Sequence, residues 1–352
     1  MTPEELTAQV KGHNGLPLIS GKDFSCMDYQ RVDLGGGIFE NVTFSQANLQ
    51  GAFLKECNFI NCDFTGACLD DANLVSANFV NMNAEGALFR NTDQTDTNFI
   101  DAVLDKADLT GAKLTDTNFT QTSLNKALLQ RVASENANFL NCKLRETDFS
   151  GSELYRPNFI EPEMKHINFS NIVLNMAFFL KPDFRDQDLS VVTFIQCQFM
   201  EADFSRASLA GLDLTKCGFA DAILEGADLS RATARRALFL NAELNGTKFI
   251  GAQLEMALFN GADLSFSDFT NANMVQVQLT NAKCDHALFR DADLTYADFS
   301  HADLGYADLS GAKLFRANLH EIMENQTIWK GSTKKLALGT NEKKAKAEQF
   351  KP

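Results

Sequence analysis

The 352-residue sequence predicts a solenoid, one chain wound into four-sided coils with each coil stacked on the last. Three observations lead there. A large apolar residue recurs at every fifth position, as in "ECNFINCDFTGACLDDANLVSANFV" from residue 56, where Phe59, Phe64, Leu69, Leu74 and Phe79 fall on the beat. Of the 60 such positions from Phe24 to Leu319, 52 are Leu or Phe, and no insertion or deletion breaks the count. Within that beat, Phe39 and each twentieth residue after it as far as Phe259 are all Phe. A helix wants apolar residues near every 3.6 positions and a half-buried strand wants them at every second, so a period of five belongs to neither. It is an internal repeat, and twenty residues is four pentads, hence four sides.

Each pentad sends two residues inward. One is the centre; the other, two positions earlier, is small, most often Ala, with Thr, Cys, Ser or Val elsewhere. The centres that are neither Leu nor Phe are Tyr29, Ala84, Gln94, Ser134, Met164, Ala234, Met274 and Cys284. One coil alone buries too little to offset its ordering entropy, so stability comes from stacking and grows with coil number. The unbroken beat leaves no room for an inserted lid or second domain, so residues 20–321 read as one continuous body.

Residues 1–19 read as a capping helix and lead-in. "TPEEL" places Thr2 at an N-cap, Pro3 at the first helical position and Glu5 three after the cap, which is a capping box. Leu6 and Val10 share a face, Gly12 can stop the helix, and such a plug blocks edge-to-edge association of the first coil. Residues 322–352 read as a C-terminal cap, with Trp329 on the beat, followed by a disordered basic tail: residues 330–352 carry seven Lys and two Glu. Midway, Pro157, Pro162 and Pro182 occupy inward small-residue positions. Proline removes a ladder donor, so this stretch is expected to widen or bend the coil, or else to form a recognition joint.

The pentads "ADLSG", "ANLHE" and "ADFSR" resemble those of the pentapeptide-repeat proteins, and the resemblance covers residues 22–321. It implies an all-β fold, a right-handed quadrilateral β-helix of about 15 coils with a narrow, dry, side-chain-filled interior.

Composition excludes several functions. The formal charge is −14, and the basic tail hides a body nearer −19, so direct nucleic acid binding is not expected. Five of the eight cysteines, Cys57, Cys62, Cys142, Cys197 and Cys217, sit in the small inward slot, where a thiol packs as a compact hydrophobe. Cys197 and Cys217 are the pair to test for a bond. His13, His166, His286, His301 and His320 read as scattered, and the register buries Cys284 while turning His286 outward. Neither an enzyme nor a cofactor or metal site is expected. With no signal-peptide pattern at the start and no run of 18 apolar residues, a reduced bacterial cytoplasm is the expected compartment, without membrane insertion.

The outward positions sort into files twenty residues apart. Three files after the centres are mostly polar. The fourth, after the Phe column, carries Ile60, Val80, Ile100, Leu140, Ile160, Leu180, Met200 and Leu240, with Thr120 and Ala220 between. Beside it run Asn58, Asn78, Asn98, Asn118, Asn138 and Asn158, whose amides can bond up the stack. An aligned apolar row of this length predicts a partner-binding surface, for another protein or for a second copy in a homodimer. The expected function is therefore a non-enzymatic interaction scaffold or adaptor.

The family resemblance implies two more specific roles. Its best-known members resemble B-form DNA in width and charge and bind DNA gyrase, and residues 261–310 hold eight Asp against one Lys and one Arg. Against that reading stand Lys143, Arg145, Lys165 and Arg185 midway along the chain. The opening "GLPLISGKDFSCMDYQRVDL" resembles the lead-in of pentapeptide-repeat proteins encoded beside bacterial type VI secretion components, which implies an accessory that loads or braces a secreted effector.

Overall fold

The computed structural model describes residues 1–12 and 17–349. His13, part of the lead-in and the last three residues of the Lys-rich tail lie outside the described residues. The chain divides into two compact units, Met1–Pro182 and Asp183–Pro352. The division falls at a proline, although the beat runs through it unbroken.

The first unit opens with α1, Pro3–Lys11. Thr2 and Glu5 form the expected capping box: the Glu5 N–H donates to Thr2 Oγ1 at 3.2 Å and the Thr2 N–H to Glu5 Oε2 at 2.9 Å. Leu6 and Val10 are buried, and Gly12 closes the helix by donating to the Ala8 carbonyl at 2.8 Å. An ion pair from Lys11 to Asp33, 2.9 Å, and a bond from the Tyr29 hydroxyl to the Met1 carbonyl, 3.0 Å, fix the helix over the first pentads.

Nearly every pentad then follows one path on its inward side. The centre and the small slot residue are buried, and the residue two after the centre takes a left-handed conformation that turns the corner. Gln46, Asn61 and Asp71 do so at φ of 58°, 53° and 60°, at a cost of roughly 1 kcal/mol or more each. The centre's N–H donates to the carbonyl nineteen residues on, as from Phe64 to Asn83 at 2.6 Å, while the residue before the centre donates back 21, as from Asn83 to Cys62 at 3.0 Å. The coils therefore pair in parallel at a register of twenty, and the backbone groups are satisfied between neighbours.

On the Phe side of this unit the chain is extended enough for strands: β1 (Leu18–Ser20), β2 (Ile38–Glu40), β3 (Asn58–Ile60), β4 (Asn78–Val80), β5 (Asn98–Ile100) and β6 (Asn118–Thr120). After β7 (Ala133–Glu135) on another side come β8 (Asn138–Leu140), β9 (Glu153–Tyr155), β10 (Asn158–Ile160), β11 (Val173–Asn175) and β12 (Phe178–Leu180). The order on the Phe side is β1-β2-β3-β4-β5-β6-β8-β10-β12, and β7, β9 and β11 form a parallel set of their own. Phe99 pairs with Phe79 below and Phe119 above, with ring centroids 5.0 Å from each and planes within 5°. Aromatic faces in offset contact add to the burial of the rings themselves.

The second unit begins with β13 (Thr193–Ile195) and β14 (Gln198–Met200). From there the winding is carried by isolated parallel bridges at the same spacing, from Asp203 with Ile223 to Asn318 with Leu338. Regular strands thus account for fewer turns than the 15 coils expected, because bridges replace strands in this unit. Phe219, Phe239 and Phe259 still stack, 4.9 and 4.8 Å apart. Much of the segment expected as a disordered tail is folded. A 3-10 turn covers Lys334–Leu336, and α2, Glu342–Glu348, starts at Asn341, whose Oδ1 accepts the Lys343 and Lys344 N–H groups at 3.1 and 3.2 Å. Trp329 is half-buried, with the Lys334 ammonium 4.2 Å from its ring centroid.

The three prolines cost less than expected. The slot N–H takes no part in the ladder; it serves the corner, donating to the centre carbonyl three residues back, as from Ala67 to Phe64 at 2.9 Å. At the corners that follow β2, β3, β4, β5, β6 and β8, the N–H groups of Val42, Cys62, Met82, Ala102, Thr122 and Cys142 make no such bond. Pro157, Pro162 and Pro182 follow β9, β10 and β12 and fill that same open type of corner. They therefore remove no ladder donor, which corrects the sequence reading.

Candidate interaction face

The apolar file and its amide border lie on the Phe side of the first unit. Asn58, Asn78, Asn98, Asn118, Asn138 and Asn158 stack in register, and each Nδ2 donates to the Oδ1 below at 3.0, 2.8, 2.9, 2.8 and 2.7 Å in turn. A second, shorter amide ladder, Asn41, Asn61 and Asn81, borders the other flank at 3.2 and 3.1 Å. Beside the first ladder stand Ile60, Val80, Ile100, Thr120, Leu140, Ile160 and Leu180, paired one above the next; past Asn81 the other flank continues with Asp101, Gln121, Asn141, Glu161 and Lys181.

None of these side chains is in the core. Ile100 is the most open of the six apolar ones, 37% exposed, while Ile60, Val80, Leu140, Ile160 and Leu180 are half-buried. Each covers its neighbours' flanks, so the file shows less area than eight isolated side chains would. Four of its members are Ile or Val, and β-branched residues favour the extended backbone seen here. The file therefore shapes the strand face as well as surfacing it. Met200, 41% exposed, and Leu240, half-buried, belong to the second unit, with Ala220 between them.

Other residues singled out by sequence separate clearly. Cys284 is buried and its thiol is pushed far up by burial, with Asp303 and Asp263 acting in the same direction. His286 is outside, its Nδ1 2.8 Å from Asp285, so the two form no nucleophile and base. None of the eight cysteines stands in a disulfide among the described residues. Cys217 is pushed up to about 12, by burial first and then by neighbouring Cys197. Slot thiols and hydroxyls do more than pack: Cys62 and Cys142 Sγ and Thr122 Oγ1 donate to the Phe39, Phe119 and Phe99 carbonyls at 3.4, 3.2 and 3.0 Å. The same bond is made at closed corners, where Thr97 and Thr147 Oγ1 donate to the Leu74 and Leu124 carbonyls at 2.8 Å each.

Two groupings escaped the sequence reading. Phe266, His286 and Tyr306, each in a left-handed corner position, stack outward at 4.9 and 4.8 Å; their spacing of twenty was the available signal. The histidines are also not all scattered, because His301 and His320 meet Glu348 of α2, a pairing that needed the folded tail. Among the described residues, no helix is long and apolar enough to cross a membrane.

Fold and face together define a β-solenoid repeat protein whose variable chemistry lies in outward files. The chain belongs to the pentapeptide repeat family: eight copies of the family model, "Pentapeptide repeats", match within residues 38–74, 95–131, 183–219, 197–233, 222–261, 257–295 and 292–322. Among solved structures it is similar to HetL, a pentapeptide repeat protein involved in heterocyst differentiation regulation in the cyanobacterium Nostoc, at 21% identity over 71% of this chain and 91% of that one, TM-score 0.27. It is also similar to QnrB1, a plasmid-mediated fluoroquinolone resistance protein, at 22% identity over 57% of this chain and 92% of that one, TM-score 0.39. A third similar structure is a pentapeptide repeat protein of the Arabidopsis thaliana thylakoid lumen, at 28% identity over 32% and 71%, TM-score 0.23. A search of curated proteins found no match.

Proposed function

We propose that this protein is a non-enzymatic interaction scaffold or adaptor that docks another protein, or a second copy of itself, along the file Ile60, Val80, Ile100, Leu140, Ile160 and Leu180. The observation that carries the reading is the combination of alignment and border: an outward apolar row in strict register, flanked along one side by a continuous uncharged amide ladder from Asn58 to Asn158. Amides held in this ladder have their hydrogen bonds already committed, so on that side a partner covers the row without stripping water from charges, while Asp101, Glu161 and Lys181 set a polar rim on the other. The strand spacing of about 4.8 Å makes the row from Ile60 to Leu180 roughly 29 Å long, a length suited to one edge of a folded partner. Met200 and Leu240 are the outward apolar residues of the second unit's own file.

The test is the triple variant Ile100→Ser, Leu140→Ser and Leu180→Ser. Association, read by analytical ultracentrifugation for self-pairing and by pull-down from the native cell for a partner, should be lost while β-rich circular dichroism persists. Unchanged association would remove this face from the function. The second reading is acidic mimicry of DNA toward gyrase, favoured by the Asp-rich stretch 261–310. Ion pairs of Asp263 with Lys283, Asp293 with Lys313 and Asp308 with Arg290 already offset part of that charge. A supercoiling assay without effect at micromolar protein would remove it. The bracing of a type VI effector stands as a narrower form of the scaffold reading, and co-purification with secretion components would decide it.

A further inference from the structure

Away from the interaction face, three donor atoms converge at the carboxyl end of the second unit. His320 Nε2 lies 3.0 Å from Glu348 Oε2, and His301 Nε2 lies 3.4 Å from the same oxygen. All three atoms fall within 4.8 Å of one another. Two different parts of the fold bring them there. His301 occupies a left-handed corner position, φ 60°, and its N–H donates to the His320 carbonyl at 2.9 Å, which sets the spacing of the two imidazoles. Their rings stand edge to face, 5.2 Å apart. Glu348 ends α2, and Lys344 holds its other oxygen, Oε1, at 3.4 Å, which leaves Oε2 for the imidazoles. His320 is 1% exposed, whereas His301 and Glu348 are open to solvent on one side.

We propose that His301 Nε2, His320 Nε2 and Glu348 Oε2 bind a divalent transition-metal ion of the zinc type, with solvent as the fourth ligand. A tetrahedral ion holds nitrogen at about 2.0–2.1 Å and carboxylate oxygen at about 2.0–2.2 Å, which sets its donors roughly 3.3 Å apart. The two N···O spacings straddle that value, so small side-chain adjustments complete the site. Two imidazoles and one carboxylate suit zinc and its neighbours in the transition series, whereas magnesium and calcium prefer all-oxygen sites.

Binding entails one proton shift. His320 Nδ1 accepts the Asn341 N–H at 3.1 Å, so in the neutral ring Nε2 carries the proton and donates a hydrogen bond to Glu348 Oε2 at 3.0 Å. The ion takes that place, the ring proton moves to Nδ1, and the Asn341 N–H turns to solvent. Metal binding is therefore coupled to the N-cap of α2, and the ion ties the helix to the last coil through Glu348.

The full chain, stripped with EDTA, is titrated with zinc chloride by calorimetry, and cobalt chloride serves as a spectroscopic probe. One zinc per chain is expected, with the visible absorption of tetrahedral cobalt. E348Q and H301N should each weaken zinc at least about tenfold, while H286N, outside the cluster, leaves affinity unchanged. Hydrogen exchange of residues 342–348 should slow with zinc in the parent chain and not in E348Q. Thiols compete for zinc, so the double variant C26S/C68S is titrated alongside and should bind as the parent does. No binding at millimolar zinc overturns the site, as does binding that survives E348Q and H301N unchanged or is lost in C26S/C68S.

Discussion

The chain turns a corner after Phe99 in the first unit and after Phe259 in the second, and it turns them differently. At the first, the Ala102 N–H makes no bond to the Phe99 carbonyl; at the second, the Ala262 N–H closes onto the Phe259 carbonyl at 3.1 Å. Both slots hold Ala, so the slot does not decide. The residues that differ lie around the centre: Asn98, Ile100 and Asp101 in one case, Leu258, Asn260 and Gly261 in the other. A β-branched residue after the centre favours extension, whereas Asn followed by Gly favours a tight turn, and Gly261 takes the left-handed position at φ 71° without the Cβ strain that Asp101 bears at 52°. One inward code therefore admits two outward geometries.

The largest effect expected from that comparison is the cost of proline. In A262P the Phe259 carbonyl loses its donor, which should destabilise the second unit by about 1–3 kcal/mol. The same change at the open corner, A102P, breaks no backbone bond and has native precedents in Pro162 and Pro182, so it should fall within about 1 kcal/mol of the parent. Urea unfolding of both variants, followed by circular dichroism, measures the difference. Equal losses would mean that open and closed corners are energetically alike.

A smaller effect is expected from the amide ladder, which borders the strand face in the first unit and has no equal run in the second. N118A removes the bond to Asn98 and takes the in-register acceptor from Asn138, which keeps only the Asn136 carbonyl at 3.2 Å, for an expected loss of about 1–2 kcal/mol. The matching position in the second unit includes Gln278, whose amide reaches only the Gln276 carbonyl at 3.5 Å, so Q278A should change stability by less than about 0.5 kcal/mol. Parallel denaturation of the two variants sharpens or removes the claim that the ladder contributes to stability.

The inward half of this structure was legible in sequence because every inward residue obeys one arithmetic: Phe79, Phe99 and Phe119 stack as their numbers require. The helix cap was legible because Thr2, Pro3 and Glu5 act locally. The apolar file, too, was legible as a row on the outside. What the count could not give was whether a corner opens or closes, since the same inward pair of Phe and Ala stands at the open corner of Phe99 and the closed corner of Phe259. Nor could it show the convergence of His301, His320 and Glu348, because Glu348 lies beyond the repeat and reaches the coil only when Asn341 starts α2. Lysine density made that segment read as solvated chain, and a single N-cap and carboxylate reversed the reading.

The smallest predicted effect concerns the place where the two units use the same device. Asp93 and Asp293 each precede a centre, accept the N–H of Thr95 or Thr295 at 3.1 or 3.2 Å, and face Lys113 or Lys313 at 3.7 or 3.5 Å. Burial alone would raise these carboxyls, but the Thr hydroxyl, the Thr N–H and the Lys charge outweigh it and hold both below the usual 3.8. A carboxyl depressed in the folded chain binds its proton less readily there than in the unfolded chain. Its contribution is therefore fully present above pH 3.8 and is lost as pH falls through the lower native values. Both sites are partly open to solvent, so each should contribute only a few tenths of a kcal/mol. Acidification also relieves repulsion in a chain of formal charge −14, which acts in the opposite direction and obscures the raw pH profile. The device is isolated by difference: D93N and D293N keep an acceptor for the Thr N–H but lose the titration, so each should flatten the dependence of the urea midpoint between pH 5 and pH 3 by a similar amount. A flattening in one variant alone would mean that the shared motif is energetically different in the two units, and that geometry at the corner reaches even the groups the repeat holds constant.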